Sequence, residues 1–231
     1  MTHCTLRAWK FAACSMTLMF FLAVPVHAQT TWTNWTSNTL STGTSGNGAA
    51  AGSVGGVGVT YSGELNSQTN ISGTTSIWSP NSSFTGGTVT VSPSIVGDEL
   101  ALAGAFTGTN TITFASPVTN PLFAIWSLGQ SFQASFTFNA TPTLQAGGPN
   151  SQFGGSSITV DNNVVRGNEG NGVVQFNGTF SSISWTDTPE FFYAFTVGVN
   201  GPSSSVPEPS SLVLLGSAFG GFIWWSRRNR R

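Results

Sequence analysis

The chain has 231 residues, 39% hydrophobic and only 6% charged, with a formal net charge of −1. That average hides an uneven distribution: residues 29–205 carry one base, Arg166, against seven acids, and the remaining cations sit at the two ends. The same stretch contains no Cys, His or Lys, which excludes disulfides, Ser-His and Cys-His nucleophile pairs, His/Cys metal centres and a phosphate-neutralising surface for nucleic acid.

At the N-terminus, Arg7 and Lys10 precede an apolar run over 11–24 and then Pro25-Val26-His27-Ala28. A basic start, an apolar run and small residues before a cut after Ala28 predict a secretory signal peptide over 1–28. Cys4, Cys14, His3 and His27 would leave with it. Residues 31–58 are rich in Thr, Ser, Asn, Gly and Ala and read as an irregular or loosely paired edge. From there, short apolar or alternating runs lie between Gly, Pro and Asn breaks, at 57–61, 88–91, 100–106, 111–114, 122–128, 132–138, 157–160, 173–176, 180–185 and 191–199.

Two of these runs alternate cleanly. Phe132, Ala134, Phe136 and Phe138 share one face of a strand, and Phe191, Tyr193, Phe195, Val197 and Val199 share one face of another. The 28 glycines oppose long helices, and turn chemistry recurs at Asn120-Pro121, Asn171-Gly172, Asn177-Gly178 and Asn200-Gly201. About ten short strands at this spacing predict an all-β protein, a single jelly-roll-like β-sandwich ectodomain over 29–205.

The C-terminus, 206–231, reads differently. Val206-Pro207-Glu208-Pro209 is followed by an uncharged stretch over 210–226, and then by Arg227, Arg228, Arg230 and Arg231. A helix over 210–226 would span roughly 25 Å, slightly less than a bilayer core, with Trp224 and Trp225 at the interface. The arginines stay on the cytoplasmic side, so the preceding domain lies outside the inner membrane. Gly216 and Gly220 form a GxxxG spacing that would let two such helices pack closely.

This tail resembles the PEP-CTERM sorting domain of Gram-negative bacteria. The resemblance implies that an exosortase, a membrane cysteine transpeptidase, recognises Val206, Pro207, Glu208 and Pro209 and cleaves the tail. It further implies a setting of exopolysaccharide, biofilm or surface display. An uncleaved membrane anchor is the alternative. Segments 120–129, 153–158 and 169–176 are similar to the bodies of other PEP-CTERM proteins, a likeness that implies no activity.

Candidate sites are few. Asp161, beside Asn162-Asn163, and Glu169, within 167–172, stand on oxygen-rich loops of the kind calcium favours, although tight turns use the same residues. Asp98-Glu99 reads as a solvated loop. Asp187 and Glu190 flank Thr188-Pro189 and could form a carboxylate pair for glycoside hydrolysis. Trp126 and Trp185 lie in apolar runs and read as core. Trp32, Trp35 and Trp78 have polar neighbours and are candidates for a platform on which sugar rings stack. The sequence thus predicts an exported, non-enzymatic structural or adhesive protein of the envelope or matrix. A lectin-like carbohydrate-binding module is the alternative, and a carboxylate-dependent hydrolase a distant third.

Overall fold

Strands whose side chains alternate between apolar and polar bury one face each, and pairing those faces makes a sandwich. The computed structural model describes residues 28–201 apart from Thr44, Thr75 and Ser131. The predicted signal peptide, the Val206-Pro207-Glu208-Pro209 motif, the apolar stretch 210–226 and the terminal arginines lie outside the described residues.

The chain forms β1 (Thr30–Trp32), β2 (Asn34–Thr39), β3 (Gly48–Val54), β4 (Val57–Gly63), β5 (Leu100–Leu102), β6 (Asn110–Thr119), β7 (Leu122–Leu128) and β8 (Ala134–Phe138). It continues through β9 (Pro142–Gly147), β10 (Ser156–Ser157), β11 (Thr159–Asp161), β12 (Val164–Gly167), β13 (Gly170–Phe176), β14 (Thr179–Asp187) and β15 (Tyr193–Asn200). One sheet runs β1-β15-β7-β13-β10, with β5 also on β15 and β9 also on β13. The other runs β11-β12-β8-β14-β6-β4-β3-β2. The short β10–β13 pairing is parallel, and the other pairings between strands are antiparallel.

The main core lies between the sheets and is aromatic. Phe123 on β7 stacks on Phe195 at 5.0 Å and meets Phe138 and Trp185 edge-on at 5.2 and 5.1 Å. Ala134, Phe136 and Phe138 all point inward, as the alternation predicts. Phe132 and Phe191 do not join these faces. They are 53% and 81% exposed, because β8 and β15 each begin two residues later.

Strands β7, β13 and β15 are buried almost throughout, on both faces. Their second face carries Leu122, Ala124, Trp126, Val173 and Ala194, and is covered by Ile77, Trp78, Phe84 and Val89 from the long β4–β5 connection. That connection is a third layer made without regular structure. Its one helical turn is a 3-10 turn, Asn81–Ser83. The strand expected at 88–91 is absent; Val89 makes only an isolated bridge to Gly86. The run expected at 100–106 shortens to β5.

Residues 31–58 also depart from expectation. They form β1, β2, β3 and the start of β4, and β3 pairs with β4 along its full length. Small residues let these strands approach closely. A Cβ on Gly52 would stand 2.2 Å from the Asn34 carbonyl oxygen. The outward face of the larger sheet is hydroxylic: Thr60, Thr113 and Ser182 align across three strands, and Ser62, Thr111 and Ser184 align in the next row.

Candidate functional site: an acidic cleft walled by aromatic rings

The site forms where β7 ends and β13 begins. Asn171 is fully buried at the bulge between these strands. Its Oδ1 accepts from the Ser127 N–H at 2.8 Å and from Asn150 Nδ2 at 3.1 Å, while its Nδ2 donates to the Glu169 carbonyl at 2.7 Å. One buried amide therefore fixes both strand ends. Ser127 and Glu169 are held at φ +57° and +50°. Left-handed backbone at two non-glycine residues is uncommon, and such strain gathers at functional sites.

This backbone aims two carboxylates into one cleft. The Ser127 hydroxyl donates to Glu169 Oε2. The Gly129 N–H donates to Glu190 Oε2 at 2.6 Å. Burial pushes the Glu190 carboxyl up to about 7; the Gly129 N–H opposes the rise and the facing Glu169 carboxylate adds to it. The cleft has a volume of about 290 Å³ and is lined by Gln68, Ser127, Gln130, Phe153, Glu169, Glu190, Phe191 and Phe192. Phe153 and Phe191 are 58% and 81% exposed. Beneath them the buried Trp126 ring sits 5.4 Å from Phe153 and 5.3 Å from Phe192.

A second acidic cluster is internal. Asn110, fully buried, donates from Nδ2 to Asp187 Oδ2 at 3.0 Å, and its Oδ1 accepts from the Glu64 N–H at 3.0 Å. The Tyr61 hydroxyl contacts Asn110 Oδ1 at 2.7 Å and the Glu64 carbonyl. The Tyr193 hydroxyl lies beside Asp187 without a closed hydrogen bond. Burial pushes Asp187 up to about 7; Tyr193 opposes the rise and the Glu64 carboxylate adds to it. This group links β4, β6 and β14 within the larger sheet.

The predicted site residues therefore scatter. Asp187 and Glu190 do not act as a pair: Asp187 turns inward to Asn110, while Glu190 faces Glu169. Asp161 and Glu169 stand at opposite ends of β12, about 13 Å of strand, so they cannot share one calcium ion. Asp161 instead meets Arg166 at 3.4 Å. Among the described residues no group of three or more His, Cys, Asp or Glu could hold a metal ion.

The tryptophan platform also fails. Trp35 and Trp78 are 1% and 0% exposed; Trp35 Nε1 donates to Thr196 Oγ1 at 3.2 Å, and Trp78 packs edge-on against Phe84. Trp32 is half-buried against the covering layer, with Nε1 donating to the Val91 carbonyl at 2.7 Å. Trp126 and Trp185 are core, as expected. Asp98-Glu99 is no solvated loop: Asp98 Oδ1 accepts from the Trp35 N–H at 3.0 Å, and Glu99 is buried. The aromatic wall that does exist is phenylalanine. Its signal was Phe153, standing between Gln152 and Gly154-Gly155 outside any alternating face, whereas alternation assigns Phe191 to the inner face of β15, which begins two residues later.

These features define an all-β sandwich with an acidic cleft walled by phenylalanine. The PEP-CTERM protein-sorting motif matches residues 205–231. The chain is thus a PEP-CTERM motif-bearing protein, and the motif marks it for export, membrane-associated sorting and processing by an exosortase. Neither the curated proteins nor the solved structures contain a match.

Proposed function

We propose that this protein is a non-enzymatic adhesive component of the envelope or extracellular matrix that holds polysaccharide in the Glu169–Glu190 cleft. The observation that carries this reading is the cleft itself. Exposed phenylalanine rings offer flat apolar faces, and amides, a serine and two carboxylates offer hydrogen-bond partners to hydroxyl groups. Ligand sites commonly combine such an apolar wall with a few convergent polar groups.

The fold supports the same reading by analogy. Strands β5–β8 and β12–β15 alternate between the sheets, with β5-β15-β7-β13 facing β6-β14-β8-β12. That is the order of a jelly roll, an architecture used by lectins among other proteins. The predicted signal peptide over 1–28 and membrane segment over 210–226 would deliver the sandwich across the inner membrane and hold it there until the exosortase acts. Its resting place would then be the cell surface or the matrix. No cofactor is needed for this role, and a body with one cation gives nucleic acid no purchase.

A glycan array probed with the full chain tests the proposal. Binding to a matrix polysaccharide, weakened about tenfold by Phe191→Ala, is the expected result. No binding across diverse polysaccharides refutes it. Sugar release abolished by Glu190→Gln would make the protein a hydrolase instead.

A further inference from the structure

The two carboxylates of the cleft are held in an unusual balance. Each has one oxygen engaged, Glu169 Oε2 by the Ser127 hydroxyl and Glu190 Oε2 by the Gly129 N–H. Neither Oε1 receives a donor among the described residues. Both carboxylates are thus oriented, and both line the cleft.

No cation among the described residues balances them. Arg166 is the single base in residues 29–205, and its guanidinium is turned to Asp161. Two like charges that face each other across a partly desolvated cleft repel, which is why the neighbouring Glu169 helps hold the Glu190 carboxyl high. A cation seated between them would remove that repulsion. A metal ion is a poor occupant, because only two carboxylates converge here and three of the other lining residues are phenylalanines. An ammonium group on a larger ligand fits both halves: its charge meets the carboxylates, and its flanking C–H and N–H surface meets the phenylalanine faces.

We infer that the cleft selects glycans bearing free amino groups, with a protonated sugar amine seated between Glu169 and Glu190 and its ring against Phe153 and Phe191. This rests on the cleft being a sugar site, and it adds the class of sugar. Gln68 and Gln130 then serve the ring hydroxyls. An N-acetylated amine has no charge to offer, so deacetylation of the polysaccharide becomes the feature recognised.

The test is calorimetric titration of the full chain in detergent with three probes of equal length: an oligomer of glucosamine, its N-acetylated counterpart and a neutral glucose oligomer. The glucosamine oligomer binds at least tenfold more tightly than the other two, and Glu169→Gln or Glu190→Gln each removes about tenfold of that preference. Both substitutions keep the side-chain oxygen that accepts from Ser127 or Gly129, and unchanged urea midpoints at pH 5 show that the variants are folded. Phe191→Ala, at an 81% exposed position, weakens all sugar binding without touching the charge. Equal binding of the three oligomers, with no effect of the glutamate variants, overturns the amino-sugar assignment while leaving the cleft a sugar site. Binding of none of them overturns both. Calcium or a simple polyamine binding as tightly as the glucosamine oligomer also overturns the assignment, since recognition would then need no sugar.

Discussion

Asp187 shows at the residue scale how position in a sheet outranks proximity in sequence. It stands three residues from Glu190, yet the last inward position of β14 takes it to Asn110, while the turn after it releases Glu190 to the cleft. Glu190 instead meets Glu169 from the start of β13, a neighbour that no periodicity could announce. Types of residue were legible here, as carboxylates were the only acid–base groups left. Their pairing was not, because it depends on strand order and on a bulge pinned by Asn171. The buried carboxyl has a further effect. Asp187 titrates at about 7 when folded and near 3.8 when unfolded, so the folded state holds the extra proton between these values. Its contribution to stability is therefore greatest below pH 4 and falls as pH rises to 7. Asp187→Asn keeps an acceptor for Asn110 and removes the charge. It should stabilise the protein by about 1–3 kcal/mol at pH 8 and leave it nearly unchanged at pH 4, read from urea midpoints at the two values. An equal loss at both would point to packing rather than charge.

At the scale of elements, clean alternation was a dependable guide. Strand β7 falls on the run expected at 122–128, and β8 and β15 keep the predicted inward faces. Alternation failed where burial comes from both sides or from small residues. β3 is mostly Gly, Ala and Ser, so its pairing leaves no apolar signature. β9 opens on Pro142, a residue suited to a sheet edge, and β9 does pair on the outer side of β13. The covering segment is the largest surprise, since Trp78 in a polar stretch looked like surface and proves to be a plug over β7. Trp78→Ala should destabilise the protein by about 3–5 kcal/mol, as a large core truncation does, while Phe191→Ala should stay within about 0.5 kcal/mol. Urea unfolding of the pair decides this. Similar values for both would mean that the cover contributes little.

For the whole molecule, the sorting motif was the most legible feature, because it depends on an ordered run of residue types at one end and on no tertiary contact. Its consequence is measurable in the host. Intact mass should show loss of residues after the Pro207–Glu208–Pro209 region, and the loss should vanish in a strain lacking the exosortase. A tail retained in both strains would leave the protein as a plain membrane-anchored sandwich. Export also fits a body whose stability owes little to ion pairs: Arg166–Asp161 is the one ion pair among the described residues, and exposed pairs contribute about 0–1 kcal/mol.

That lone arginine bears on survival outside the cell. Proteases of the trypsin type cut after Lys or Arg, and residues 29–205 offer them a single target bond. Arg166 lies within β12, its backbone paired to β8 on one side and β11 on the other, whereas nicking favours exposed loop tips. The exported sandwich presents such enzymes with almost nothing to cleave, a chemical form of durability.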